Sequence, residues 1–557
     1  MKKTLQIKLI LGAIALLNFN IQTIAQNVNW VKSYGTSLNN EARVVKVDNT
    51  GNSYLGGNTE SGNGGFIKKY DNSGDLIWTK TFAGFAYIKS LVVDEINNFV
   101  YVTGQFNYST NFGGITLTSN GSLEDIFILK MDTAGTVLWA NKYGNNDKDC
   151  GKAISVDNNG DVYFTGYYKK AITFGTFTLT NYTNETRFLV KLNPAGTVLW
   201  AQQIGTKGNS ISASESYYIN NEYGNTNSGL ESGFGLGCDL NNNVFVSGTM
   251  SKIANFETTT LNNTKSNRFF FLAKFNSNGN IVWVKSNLDN YYDCENTGGL
   301  TIDNGGNIIT GGYPSNNAVV DTYTLINMPF ITKFDNNGNT VWLKQLNYIN
   351  GSSDPYSGCP TAYSVDGVGN PNIVGYFGNN DLSAGTVTLT TTSEKMYVLS
   401  FLSNGTADWG FTFGNKTTGS MYENAFSIST NTTGAINVAG KFDGTGDAFG
   451  TYTLTSIGAT DAFNMRINGS IATSMKKIDE KSNYHIYPDP ANTIINIQGL
   501  DINIPVEIKI YSIEGKIVKE LNTIASGIDI KDLYSGIYFI TIIDQRGHSS
   551  TKKFIKE

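Results

Sequence analysis

The chain has 557 residues, of which 60 are Gly, 7 Trp, 30 Tyr and 31 Phe, while charged residues make up only 16%. That profile is too aromatic for a disordered chain and too glycine-rich for a helical one. With a net charge of −5, four Cys, and His only at His485 and His548, the body excludes a Ser-His-Asp triad, a His metal site and a disulfide-built scaffold.

Residues 1–25 read as a secretory signal peptide. Met1–Lys8 is basic, Leu9–Leu17 is an apolar run of nine, and Thr23-Ile24-Ala25 is a cleavage site that leaves Gln26 as the first mature residue. Nine apolar residues span only about 14 Å as a helix, short of a bilayer core. No later segment is apolar enough to cross a membrane, so the mature chain is expected to be exported without a transmembrane segment. Residues 26–474 hold 27 basic and 35 acidic side chains. That acidic balance, with no basic block, argues against nucleic acid and anionic membrane surfaces as partners.

The body then repeats itself. One phrase runs Val156-Asp157-Asn158-Asn159-Gly160-Asp161-Val162-Tyr163-Phe164-Thr165-Gly166, and six related versions follow Val47-Asp48, Val93-Asp94, Cys238-Asp239, Ile302-Asp303, Val365-Asp366 and Ser429. A second phrase alternates with it, as in Lys69-Tyr70-Asp71-Asn72-Ser73-Gly74 with Trp78, or Lys191-Leu192-Asn193 with Gly196 and Trp200. Each phrase is two short β-type runs around an Asn/Asp/Gly turn, hence a hairpin. Two hairpins give four strands, here called A (Ala153–Asp157), B (Val162–Tyr168), C (Phe188–Leu192) and D (Val198–Gln203) in one repeat. Most repeats add a phrase such as Phe174-Gly175-Thr176-Phe177-Thr178-Leu179-Thr180 between B and C.

Four-stranded units at a period near 63 residues point to propeller blades. The seventh A–C set ends at Ile467 with no Trp strand after it, whereas Trp30 sits in an orphan D-type strand at the other end. Sharing that strand supplies the missing one and closes a ring. The fold expected is all-β: a seven-bladed β-propeller closed by an N-terminal strand over residues 26–469, then a linker at 470–484 and a small C-terminal β-sandwich at 485–557. The two alternating phrases resemble the bacterial seven-bladed β-propeller repeat family over residues 27–470. That resemblance implies an exported propeller and carries no common ligand or reaction.

The C-terminal stretch shows Tyr487-Pro488-Asp489-Pro490-Ala491-Asn492, Gly515-Lys516-Ile517-Val518, Gly536-Ile537-Tyr538 and a basic end at Lys552-Lys553. It resembles the type A C-terminal sorting domain of the type IX secretion system of Bacteroidetes-type bacteria, with Asp489 where Asn is usual. The resemblance implies that Tyr487, Pro488, Pro490, Asn492, Gly515, Gly536, Tyr538, Lys552 and Lys553 serve sorting. It also implies that the partner is the secretion machinery and that the destination is the outside of the cell or the outer-membrane surface.

Candidate chemistry is sparse. The D-x-x-G-x-x-x-W turns differ in register from sialidase Asp-boxes and read as hairpin turns. Glu41, Asp149, Glu231, Glu295 and Glu423 stand near the entry to strand A, where five carboxylates could ring a channel mouth and hold Ca²⁺; equally, each could accept backbone N–H bonds from a neighbouring loop. No other cofactor is expected. The D→A connections vary most, and the long one holds Tyr217, Tyr218 and Tyr223, while others hold Tyr291, Tyr292, Asp293 and Tyr356. Exposed Tyr beside carboxylates suits a glycan or protein ligand, although the same rings could simply pack a loop onto its blade. Cys294 and Cys359 fall in adjacent repeats and could form a disulfide in an oxidising compartment. Two functions remain open: a binding or adhesion propeller, expected as a monomer, or a carboxylate-dependent glycan hydrolase or lyase on the same scaffold.

Overall fold

The computed structural model describes residues 28–557 except 60–63, 181–185, 205–233, 251–252, 257–258, 263–268, 287–298, 315–317, 350–357, 379, 392, 415–423, 469–484, 499–505, 513–516, 524–526 and 544–548. The signal peptide and the linker expected at 470–484 therefore lie outside the described residues. Two compact units divide at Gly469/Ser470. The described residues form strands and turns, with no helix among them.

The first unit follows the repeats. In the third repeat, Cys150–Val156, Val162–Tyr168, Thr186–Leu192 and Val198–Ile204 form one antiparallel sheet in chain order, A to D. The same order recurs, giving seven four-stranded sheets when the double sheet formed by the first two is counted as two. These two are fused because Leu76–Asp94 is one continuous strand, serving as D of sheet one and A of sheet two. A loop expected there is absent. Sheet seven is completed by Val28–Tyr34, which pairs with Asp461–Asn468 and sets Trp30 opposite Arg466.

The repeated residues have definite work. In the C–D turn, Asp335 Oδ1 accepts the N–H groups of Asn337 and Asn339 at 2.9 and 2.8 Å, and Gly338 has a φ of +76°. The D-strand Trp of sheets one to five reaches the C–D turn of the next sheet. Trp78 donates Nε1–H to Thr133 O at 3.1 Å, Trp200 to Ser277 O at 3.1 Å and Trp342 to Ser403 O at 3.0 Å. Glycine is required in that turn twice over. At Gly405 the φ is +84°, and a Cβ would lie 2.7 Å from the Trp342 ring. The Lys of strand C meets the Asp that begins the A–B turn: Lys333 Nζ lies 2.7 Å from Asp303 and Lys191 Nζ 3.4 Å from Asp157, all four side chains being buried. The phrase between B and C folds as a small hairpin whose Phe seals the sheet. Phe174 packs on Phe188 at 4.9 Å, and Phe449 on Phe463 at 5.0 Å.

Every A–B and C–D turn lies at one end of the strands, and every B–C and D→A connection lies at the other. We call these ends the turn face and the loop face. Strand A of several sheets is interrupted by a β-bulge near its loop-face end. The extra residue is Arg43, Lys89, Lys152, Thr361 or Phe426.

In the second unit, His485–Tyr487, Ile494–Gln498 and Gly527–Asp529 form one sheet. Ile517–Thr523, Val506–Ser512, Gly536–Ile543 and Ser549–Lys556 form the other. Alternate isoleucines, among them Ile495, Ile497, Ile508, Ile510, Ile540 and Ile542, fill the space between them with Phe554. β-branched side chains suit such a pleated, half-buried surface.

Candidate functional site

A cavity of about 220 Å³ runs among the A strands of the first unit, with lining residues from all seven sheets. It opens beside the loop face, where the carboxylates singled out from the sequence were expected. Glu41 is the second residue of its A strand and is ion-paired to Arg43 at 2.5 Å. Burial raises its pKa, but Arg43 and Lys441 outweigh that and hold the carboxyl below its ordinary range. Asp149 immediately precedes strand A of sheet three and is fully buried. Its two oxygens accept N–H bonds from Asn145 at 2.8 Å and Lys169 at 3.0 Å. Burial pushes its pKa up to about 7, against those two bonds.

Neither carboxylate lines the cavity. Asp149 accepts backbone N–H bonds from the loops at Asn145 and Lys169, whereas Glu41 is held by the Arg43 side chain. Glu231, Glu295 and Glu423 lie outside the described residues. Among the described residues, no three His, Cys, Asp or Glu side chains gather as a metal site.

The Tyr-rich candidates Tyr217, Tyr218, Tyr223, Tyr291, Tyr292, Asp293 and Tyr356 all lie outside the described residues. What is described is their setting: they belong to connections that leave the loop face after Ile204, Lys285 and Ile349. Tyr348, just ahead of the last of these, is buried in the core of sheets five and six. Cys294 is also outside the described residues, and Cys359 is buried just before strand A of sheet six. Cys150, expected in a loop, is instead the first residue of a strand A. The Cys238 thiol is pushed up to about 12 by burial.

Sequence reading passed over the basic residues. Arg43, Lys89 and Lys152 each stand five positions before the Asp of the A–B turn, in three successive repeats. That coincidence was visible in the sequence, but nothing in the sequence marks the position as a bulge.

In the second unit, Tyr538 stacks on Phe554 at 5.7 Å and donates its hydroxyl to Tyr534 O at 2.9 Å. Asp489 Oδ1 accepts the N–H of Ile555 at 2.8 Å, so the Pro488–Pro490 segment is tied to the last strand. Tyr487, Pro488, Pro490, Asn492, Gly536 and Lys553 are exposed, Lys552 is half-buried, and Gly515 is outside the described residues.

Residues 485–557 match the family model described as a secretion system C-terminal sorting domain. A curated relative, an uncharacterised WD repeat-containing protein of Acanthamoeba polyphaga mimivirus, is 30% identical over 175 residues, covering 26% of this chain and 12% of the relative. The chain thus spans only a small part of that relative's length. Among solved structures, the Dos1 propeller is similar over 75% of each chain, at 11% identity and a TM-score of 0.33. An ulvan lyase of polysaccharide lyase family PL25 is similar over 77% of this chain and 97% of its own, at 11% identity and a TM-score of 0.36. The repeated four-stranded antiparallel sheets themselves carry the all-β propeller architecture. The C-terminal match places the protein in the type IX secretion route, to the cell surface or extracellular space. No helix among the described residues is long and apolar enough to cross a membrane.

Proposed function

We propose that this exported protein is a closed, seven-bladed propeller that binds a glycan or protein ligand with its loop face, and that it acts as a binding or adhesion module rather than an enzyme. The observation that carries this reading is the contrast between the two faces. The turn face repeats the same hydrogen bonds from sheet to sheet, as from Gly51 to Asp48 O at 3.0 Å and from Gly306 to Asp303 O at 2.9 Å. On the loop face the D→A connection is absent between sheets one and two, short between Tyr143 and Cys150, and long between Ile204 and Gly235. A scaffold needs uniform turns; ordering a long, Tyr-rich connection costs conformational entropy that the scaffold does not recover. Ca²⁺ at the channel mouth remains part of this proposal through Glu231, Glu295 and Glu423.

The test is a glycan array and a surface-protein binding screen with the mature chain, each run with and without Ca²⁺. Tyr217→Ala combined with Tyr218→Ala should weaken whatever binding is found while leaving the melting temperature unchanged. Normal binding by that variant would move the contact to another surface. Release of reducing sugar ends from any bound glycan would favour the hydrolase or lyase reading.

A further inference from the structure

One junction between neighbouring sheets is built differently from the rest. The strand-C lysines of sheets one to three, Lys69, Lys130 and Lys191, donate to main-chain carbonyls in the C–D turn of the next sheet, those of Thr133, Pro194 and Ser277. None of these three turn residues carries a side-chain amide. The turn position that follows Lys333 of sheet five is Ser403. Between sheets seven and one the turn residue is Asn72, but the group that meets its Oδ1, at 2.8 Å, is the guanidinium of Arg466. Between sheets four and five a lysine amine meets a carboxamide: Lys274 Nζ donates to Asn336 Oδ1.

Asn336 is fixed from several directions. Its Nδ2 donates to Asp239 Oδ2 at 3.0 Å and to Gly306 O at 3.0 Å, so both amide hydrogens are used and the oxygen is the atom turned towards Lys274. Its main-chain oxygen accepts the indole N–H of Trp283 at 3.2 Å. Asp239 begins the A–B turn of sheet four, and its Oδ2 also lies 4.0 Å from Lys274 Nζ. One carboxylate oxygen thus stands beside both nitrogens. Lys274 and Asp239 are buried, the Phe245 ring centre is 5.3 Å from Nζ, and Trp283 packs against that ring. Lys285 and Asn339 repeat the amine–amide contact beside Asp335, at 3.1 Å, but in an exposed setting where water keeps the amine protonated.

We propose that Lys274 and Asn336 are a self-modification site, at which the folded chain closes an intramolecular isopeptide bond with Asp239 as the proton carrier. Asp239 takes one proton from the Lys274 ammonium, and the freed electron pair of Nζ attacks Cγ of Asn336. Asp239 delivers that proton to Nδ2, the Cγ–Nδ2 bond breaks and ammonia leaves. The proton that Nζ still holds in excess passes through Asp239 to the departing ammonia. The products are one secondary amide and one ammonium ion, with the carboxylate regenerated and no co-reactant consumed. The fold supplies what the reaction lacks in water: amine and amide held in contact, and a buried aromatic setting. One turnover per chain is enough, so a slow step suffices. The bond ties strand C of sheet four to the C–D turn of sheet five, and it stands or falls separately from any ligand of the loop face.

The experiment is tryptic peptide mapping of the purified mature chain by mass spectrometry. Acylated Lys274 resists trypsin, so the expected product is a branched peptide joining residues 269–285 to residues 334–344, lighter than the two together by one ammonia. Cleavage after Lys191, Lys285 and Lys333 should proceed normally, which separates this site from its relatives in the other sheets and from the exposed Lys285–Asn339 pair. Lys274→Arg and Asn336→Ala should each abolish the branched peptide and lower the melting temperature. Asp239→Asn should leave the two peptides unjoined, and undiminished joining in that variant would overturn the part given to Asp239. Recovery of residues 269–274 and 334–344 from the parent chain as separate, unmodified peptides, with no branched species, overturns the proposal whatever the variants do.

Discussion

Trp30 donates its indole N–H to the carbonyl of Asn72 at 3.1 Å, tying the first described strand of the chain to the first C–D turn. Arg466, opposite Trp30 on the neighbouring strand, adds bonds to Asn72 Oδ1 at 2.8 Å and to Gly51 O at 2.6 Å. Sheet seven is thus fastened to sheet one by the indole bond that links the other sheets. Trp409 is the exception. Its Nε1 is buried without an acceptor among the described residues, and strand C of sheet seven ends at Asn468, where the other repeats turn into strand D. There the fourth strand is supplied by Val28–Tyr34, from the other end of the repeats.

Deleting Val28–Tyr34 should therefore lower the melting temperature sharply. It removes the buried Val28, Trp30 and Val31 side chains, each contributing roughly 1.5–3 kcal/mol, and opens a sheet edge. Circular dichroism melts of the truncated and complete mature chains would decide. An unchanged midpoint would show that the fastening of sheet seven to sheet one does not hold the fold together.

Trp342 and Trp409 are buried alike, at 6% and 7% exposure, but only Trp342 has an acceptor. Trp342→Phe should destabilise by about 1 kcal/mol more than Trp409→Phe, the net value of one hydrogen bond. Urea midpoints of the two variants check this. Equal losses would mean that the indole bonds contribute nothing beyond burial.

Gly405→Ala should be more damaging than Gly385→Ala. Both glycines have positive φ, at +84° and +59°, so both variants suffer the backbone penalty of about 1 kcal/mol. Only Gly405 would drive a Cβ into an indole, and nothing lies within 4 Å of the Gly385 position. The difference in melting temperature measures the packing of Trp342 alone.

Asp149 sets a pH dependence. Its pKa rises from 3.8 to about 7 on folding, so the native state binds more protons than the unfolded state between those values. Its contribution is fully present below about pH 4 and is lost as pH rises towards 7. Asp149→Asn removes this titration. Relative to the parent, the variant should gain stability as pH rises from 4 to 8, read from melting temperatures across that range. A constant difference would mean that Asp149 is charged throughout.

Removing residues 485–557 should leave a folded propeller that no longer leaves the cell, since the two units are separate and the sorting match lies wholly in the second. Immunoblots of cell and medium fractions test it. Normal secretion of the truncated chain would mean that export depends on another segment.

Much of this architecture is written locally. Strand A to D order follows from hairpin signals such as Asp157–Asp161 and Asn193–Thr197, because a two-phrase repeat with Gly at positive φ permits little else. The orphan strand of Trp30 was legible for the same reason: a repeat short of one strand must find it elsewhere. What the sequence could not supply was the purpose of the repeated Trp, Gly and Lys. Trp342 meets Gly405, and Trp30 meets Asn72, across sheets whose juxtaposition depends on how each sheet packs on the next. The lining of the channel was hidden for a related reason. Strand alternation assigns Lys89 and Lys152 to a face of the sheet, and only a bulge, a local slip between two paired strands, turns them into the lumen. Side-chain type and hairpin order are properties of neighbours in sequence; bulges and indole acceptors arise only when distant strands are brought together.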